Sequence, residues 1–435
     1  MSGLARSFRV SALLAVAVLL PACAVSPAVE AARARDMKKL SDAMASERKA
    51  GDFDSGEVRD VARAVAEAEI GGAKGVEGEE LIRSLASCAR ELHGALDDRF
   101  DKGDDEGAVA AEVLLSAGVV SNDEYAKFIR RDDATPAYRA LGARSLTDDD
   151  DFGMRRKLFL DLDERVRVNA LKAAMLAPTI EDFDALVEAG RVDPNPAARS
   201  AAVRALGRIG GERSVVALKD IWLHADERLR ESVVDGFMAP PAFEAGGREQ
   251  LVRLAENGGD GSIPAAIALS HVIVGEGPDR VAHDTAIGVL TRTIQQGTRD
   301  QRTLAIVMSP SEPTVLEAIR KAQEDGDTGI AMVALGRVAL EGKDDEKKAA
   351  RDKLLELAKS DDPEASRAMR ELANAGDKRV VELLVKQLAS ENPYDRAYAA
   401  RSLVTLGELE KASVVLSDAK PFVRAAVACE MIRDR

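Results

Sequence analysis

Asp193-Pro194-Asn195-Pro196-Ala197-Ala198-Arg199-Ser200-Ala201-Ala202-Val203-Arg204-Ala205-Leu206-Gly207 decides the fold. Its opening, Asp-x-x-Pro-x-x-Arg, recurs at Asp133-x-x-Pro136-x-x-Arg139 and Asp418-x-x-Pro421-x-x-Arg424. An aspartate ahead of a helix can cap it by accepting amide hydrogens of the first turn. Proline suits that turn, where its missing N–H has no partner to lose. Counting from Arg199, positions +3, +4 and +7 are Ala202, Val203 and Leu206, one face of an α-helix. The same positions are Ala170, Leu171 and Ala174 after Arg167, Val233, Val234 and Phe237 after Arg230, and Val427, Ala428 and Met431 after Arg424. Gly207 and Gly407 sit where a helix stop is expected.

A second apolar helix follows, as in Val215, Val216, Leu218, Ile221 and Trp222. The unit is therefore a helix pair. Marker arginines fall at 139, 167, 199, 230, 302, 396 and 424, with weaker copies near 265 and 330 and one around Pro363 out of register. The resulting period of roughly 28–37 residues is that of a solenoid. The expected fold is all-α, a right-handed α-solenoid of stacked helix pairs. Such an array offers a long surface, so binding is expected of it before catalysis.

The pattern resembles HEAT repeats, and more closely the short bacterial HEAT-like variety found in phycobilisome lyases. The resemblance covers residues 133–435 and rests on Asp-x5-Arg followed by alanine-rich packing positions. It implies a buried structural ladder: Asp133 and Arg139, Asp161 and Arg167, Asp193 and Arg199, Asp418 and Arg424. The ladder should break near 265 and 330, where the arginine is missing.

Only 3% of residues are aromatic against 46% apolar, a composition of small side chains suited to closely stacked helices. Net charge is −14, which argues against nucleic acid and against broad adhesion to anionic lipid.

Residues 1–22 read as an export signal: Arg6 and Arg9, then an apolar core over 11–20 too short to span a bilayer comfortably. Loss of this leader leaves 59 basic residues against 75 acids, a net −16. Leu20-Pro21-Ala22-Cys23 resembles a bacterial lipobox. That resemblance implies cleavage before Cys23 and acylation there, and Ala24 after it points to the outer membrane, facing the periplasm. The membrane is then met through the lipid anchor only. Residues 23–55 read as a tether, and 56–132 as a helical N-terminal region or divergent cap repeats, with helices over 57–70, 79–100 and 108–116. Cys88 and Cys429 lie in apolar helical patterns. In an extended solenoid they would be far apart, and no disulfide is expected between them.

No catalytic signature emerges. His93, His224, His271 and His283 are isolated, and the acidic stretches 97–106 and 148–151 lack the order of a calcium loop. The expectation is a non-enzyme with no cofactor and no metal. One candidate binding feature remains. At position +5 of the marked helix stand Arg144, Lys172, Arg204 and Arg401, a basic row in an acidic protein, broken by Asp235. It suggests a protein partner with an acidic segment, unless the row pairs with local acids such as Glu212 and Asp148. The functional expectation is a lipid-anchored envelope scaffold. The alternatives are a lyase-like or chaperone-like HEAT protein acting on a small molecule or client, and a non-catalytic spacer.

Overall fold

The computed structural model describes residues 25–121, 125–131, 133–259, 261–272 and 277–433. The export leader and Cys23 lie outside the described residues. The described chain is α-helical throughout, with short 3-10 turns and no strand among those residues. An N-terminal group comprises α1 (Pro27–Arg33), α2 (Met37–Ala50), α3 (Ser55–Gly72), α4 (Gly75–Ser84), α5 (His93–Phe100) and α6 (Asp105–Ser116). The regular repeats are α7 (Pro136–Arg144), α8 (Phe152–Leu158), α9 (Glu164–Leu176), α10 (Phe183–Val192), α11 (Pro196–Ile209), α12 (Gly211–His224) and α13 (Glu227–Met238). A looser stretch holds α14 (Pro240–Ala242), α15 (Arg248–Asn257), α16 (Ser262–Ser270), α17 (Pro278–Gln296), α18 (Arg299–Met308), α19 (Pro313–Ala322) and α20 (Thr328–Glu341). The last repeats are α21 (Asp344–Ala358), α22 (Ala365–Asn374), α23 (Val381–Gln387), α24 (Pro393–Thr405), α25 (Leu409–Ala412) and α26 (Pro421–Arg433).

The marked helices α7, α9, α11 and α13 pack side by side, whereas α10 and α12 on the other track touch only briefly. The track with the closer spacing is the inner wall of a curved array. Glycine permits the closest approach. A Cβ on Gly207 would meet the Gly236 carbonyl oxygen at 2.3 Å, so α11 and α13 nearly touch backbone to backbone. Gly207 is thus a packing residue inside α11, not the stop the sequence suggests. The helix ends instead at Gly210, whose φ of 73° is open to glycine at little cost. Gly407 follows α24 with φ 75°, as a stop should.

Further on the relation inverts locally: α15, α17 and α19 of the other track lie together, and α16 touches α18 only lightly.

The array does not stay open. Its neighbour-to-neighbour packing runs from α4 to α6 and α7, onward through the repeats to α24 and α26, and α26 then packs on α3 and α4. The solenoid is closed into a ring. At the seam Arg424 and Glu69 form a buried ion pair, with the Arg424 Nε 2.8 Å from Oε1. Arg35 reaches the other Glu69 oxygen at 3.3 Å, and Arg48 donates to Ser413 at 2.6 Å. Cys88 and Cys429, 341 residues apart in sequence, are joined by a disulfide with their Cα atoms 5.6 Å apart. The expectations of an extended array and unpaired thiols are therefore corrected together. The distance argument assumed two free ends, and closure removes them.

Closure also explains residues 23–55. They were expected to form a tether, but from Pro27 they fold as α1 and α2, burying Ala28, Val29, Leu40, Met44 and Phe53. These helices lie on α3 and on the turn Ser413–Ser417, beside the seam. The expected helix over 79–100 is likewise two, α4 and α5, separated by a 3-10 turn that carries Cys88. Between α6 and α7 a short 3-10 helix, Ala126–Arg130, sits in a cluster of rings: neighbouring rings among Phe100, Tyr125, Phe128 and Tyr138 have centroids 5.0–6.4 Å apart. Burial there pushes the Tyr138 hydroxyl up to about 12.

Candidate functional site: the inner wall

The repeated Asp-x5-Arg works differently from a cap. The Asp193 Oδ1 accepts the Asn195 amide at 2.8 Å, and Asn195 is the residue that caps α11. This leaves the Asp193 carboxylate facing backwards, where Arg167 of the preceding repeat holds it at 2.8 and 3.2 Å. Arg199 binds the Asp193 carbonyl at 2.9 Å and reaches forward to Asp226 at 3.0 Å. Arg139 meets Asp161, Arg302 meets Asp325, and Arg396 meets Asp418 at 2.6 Å in the same manner. The last of the series, Arg424, donates to the Asp418 carbonyl and turns to Glu69 across the seam. Asp133 stands apart: its exposed carboxylate pairs with Arg131. Asp325 receives a rung from Arg302, but its own repeat has Ala331 where the next arginine would stand.

These contacts orient the wall. Hydrogen bonding from the Asp327 amide and then from Arg302 holds the Asp325 carboxyl below its ordinary value. For Asp418, burial pushes upward, yet Arg396 and the Lys420 amide outweigh it and the carboxyl again lies low. The Arg396 guanidinium is raised by the same pair. The sequence held no sign of a deeper pair. Arg155 and Asp182 are both fully buried, with Arg156 adding a 2.9 Å bond to Asp182. It lies in the linker helices, outside the repeated spelling.

The basic row does face the inner wall, but it is not a free positive ridge. Arg204 pairs with Asp235 at 2.8 Å, Arg401 with Glu430 at 2.8 Å and Lys172 with Glu112 at 3.5 Å. Arg144 is half-buried, and its desolvation lowers the guanidinium pKa against the pull of Glu112. For Arg204 and Arg401 the acid comes from the next wall helix, for Lys172 from α6, and for none of them from Glu212 or Asp148. Asp235, which breaks the row in sequence, is the partner of Arg204 in space. An acidic segment thus meets no free charge at Lys172, Arg204 or Arg401, while Arg144 has no ion pair and its Nη1 is buried without a hydrogen-bond partner among the described residues.

A cleft of about 210 Å³ opens on the wall between α4, α6, α7 and α9. Its floor is apolar, with Ala108, Val109, Ala140 and Leu141. Its rim carries both signs: Arg83 binds Glu79 at 2.9 Å, Lys172 faces Glu112, and Glu164 accepts from the Asn195 side-chain Nδ2 at 2.9 Å. One polar group is unmatched. Asn169 lines the cleft 6% exposed, and its Oδ1 is buried with no hydrogen-bond partner among the described residues.

Asn169 stands two residues after Arg167, and Arg165 two before. The equivalents near the seam are Tyr398 and Tyr394 on α24 and Phe422 on α26. Tyr394 and Phe422 have ring centroids 5.2 Å apart, and Arg370 lies over Tyr398 at 5.5 Å. All three rings remain exposed in a chain with just 15 aromatic residues. The wall thus alternates between a polar cleft and an aromatic patch.

Among the described residues no cluster of metal-ligating side chains occurs, and no helix is long and apolar enough to cross a membrane.

Residues 154–236 match the family of HEAT repeats, the segment from α8 to α13 where the ladder is most regular. No curated protein matches the sequence. Among solved structures the chain is similar to YibA of E. coli at 14% identity, covering 64% of this chain and 98% of that one, with a TM-score of 0.32. It is similar to Kap121p at 13% identity, covering 89% of this chain and 49% of that one, with a TM-score of 0.24. The chain therefore spans about half the length of Kap121p. What the comparisons establish is an all-α solenoid that carries HEAT repeats over residues 154–236.

Proposed function

We propose that the protein is a binding scaffold, holding protein partners on the inner wall of a closed HEAT-like ring. The observation that carries this reading is the wall itself. The marked helices present a surface with exposed rings, a small cleft and largely paired charge, and the closed backbone keeps that surface in one shape. A preformed surface binds without the cost of ordering itself first. The reading includes export and an acyl anchor at Cys23 in the bacterial outer membrane, resting on the lipobox-like Leu20-Pro21-Ala22-Cys23. Several acyl chains hold a protein firmly, at about 0.8 kcal/mol per buried CH2.

Crosslinking of the protein in intact envelopes, with the linked residues mapped by mass spectrometry, tests the scaffold. Links from a stoichiometric partner should gather on the wall residues of α7–α13 and α22–α26. Links confined to the outer helices α10, α12 and α21 would refute the wall as the binding surface. The anchor is tested separately: Cys23→Ser should release the protein from membranes, and a variant still pelleting with them would remove the lipoprotein reading.

A further inference from the structure

We infer that the cleft between α4, α6, α7 and α9 receives one peptide unit of an extended partner segment, bearing a small uncharged side chain and hydrogen-bonded to Asn169. The inference rests on the scaffold reading and names what one part of the wall recognises.

Size sets the first limit. At about 210 Å³ the cleft is smaller than the ~300–1,000 Å³ usual for a whole small-molecule ligand, so it suits part of a longer molecule. Charge sets the second. The rim bases Arg83, Lys172 and Arg165 are paired with Glu79, Glu112 and Asp163, so an anionic ligand group finds no free base and loses its water, and Glu164 already accepts from the Asn195 side chain. The floor sets the third, because Ala140 and Leu141 offer apolar contact to a short side chain.

Asn169 supplies the recognition. Its Oδ1 is buried without a partner among the described residues, and the residue lines the cleft. A buried amide that lacks hydrogen bonds destabilises the fold it sits in. The neighbouring +2 positions on the wall are filled by Leu141 and Ala201, which shows that an apolar residue fits there. A peptide group matches the amide: its carbonyl accepts from Nδ2, and with the carboxamide turned over its N–H donates to Oδ1. Main-chain bonding of this kind gives affinity with little dependence on sequence, and the floor then selects the side chain.

The test uses detergent-solubilised full-length protein and a phage-displayed library of random dodecapeptides, followed by affinity measurements on the selected peptides. Neutral cores rich in Ala, Val, Ser or Gly should be enriched. Asn169→Leu should weaken their binding about tenfold, the loss of one buried hydrogen bond. The same variant should melt at the same or a higher temperature, since it removes an unmatched amide. A merely structural asparagine would show the opposite pattern. Selected peptides that bind Asn169→Leu as well as the native protein would overturn the cleft assignment and leave the scaffold standing. Enrichment of acidic or basic cores would overturn the charge argument. No enrichment at all would also overturn the peptide assignment, and envelope crosslinking would then decide the scaffold reading alone.

Discussion

The interface between α9 and α11 and the seam between α26 and α3 perform the same task with different means. Both bring an arginine of one helix to a carboxylate of the next. Between repeats this is Arg167 with Asp193, supported by a hydrogen-bonded turn at Asn195. At the seam it is Arg424 with Glu69, and the carboxylate comes from an unrelated helix. The repeat interface is local, linking residues 26 apart, whereas the seam links residues 355 apart. The seam alone has a disulfide and a second arginine, Arg35, on the same acid. A contact between neighbours in sequence forms with little loss of chain entropy, and one between the two ends does not. The additional covalent and ionic links stand where that entropy loss is greatest.

The largest effect should follow loss of the disulfide. In the chain-entropy account a crosslink across this separation stabilises by on the order of 5 kcal/mol. Cys88→Ala with Cys429→Ala, or reduction of the native protein, should lower the melting temperature markedly. An unchanged melt would mean that packing alone secures the seam. Mass spectrometry under non-reducing conditions should find no free thiol at either residue.

Arg424→Ala comes next. It strips a buried carboxylate of its main partner, a loss of about 3 kcal/mol, at the lower end for such pairs because Arg35 stays within reach. Arg199→Ala is the matching change at a repeat interface. Its acid, Asp226, is mostly exposed, so the loss should be about 1 kcal/mol or less. Equal losses in denaturant titrations would erase the distinction between seam and repeat.

Acid should separate the two further. Asp325 and Asp418 have carboxyls held low in the folded protein, so their contribution is present above the unfolded value near 3.8. It is lost as pH falls below about 4 and through their depressed folded values. The disulfide does not titrate in this range. At pH 3, protection from hydrogen exchange relative to the intrinsic rate should therefore fall first at α20 and α26, while Cys88 and Cys429 stay linked. Uniform exchange at neutral and acid pH would count against the ladder. The smallest effect belongs to Arg204→Ala, whose exposed pair with Asp235 should contribute about 0.5 kcal/mol and fade with salt.

Much of α11 was legible in its own letters. Pro196, the apolar face Ala202, Val203 and Leu206, and the repeated arginine specify a helix wherever they stand. The all-α repeat architecture followed from counting copies. The direction of the Asp193 carboxylate was not legible, because Asn195 competes for the cap and only the stacked neighbour supplies Arg167. The basic row misled for a related reason. Sequence aligns Arg204 with Asp235 as equivalents, while stacking makes them partners. Closure left no local trace, since Glu69, Cys88 and Cys429 acquire meaning only once the array has turned full circle. The amide of Asn169 carries no signal in sequence, because a lone asparagine on a helix is ordinary until its surroundings show that nothing satisfies it.

Closure into a ring changes how the molecule comes apart. An open array of repeats melts from its two tips inward, since each tip repeat has one neighbour instead of two. With α26 set against α3, every repeat has a neighbour on both sides, and thermal unravelling must start by breaking two interfaces at once. The arc where Gly207 and Gly236 bring α11 and α13 into backbone contact is then no safer than the stretch around α17 by virtue of position. Initiation passes to whichever joint is intrinsically weakest, as in a bracelet, which opens at its poorest link.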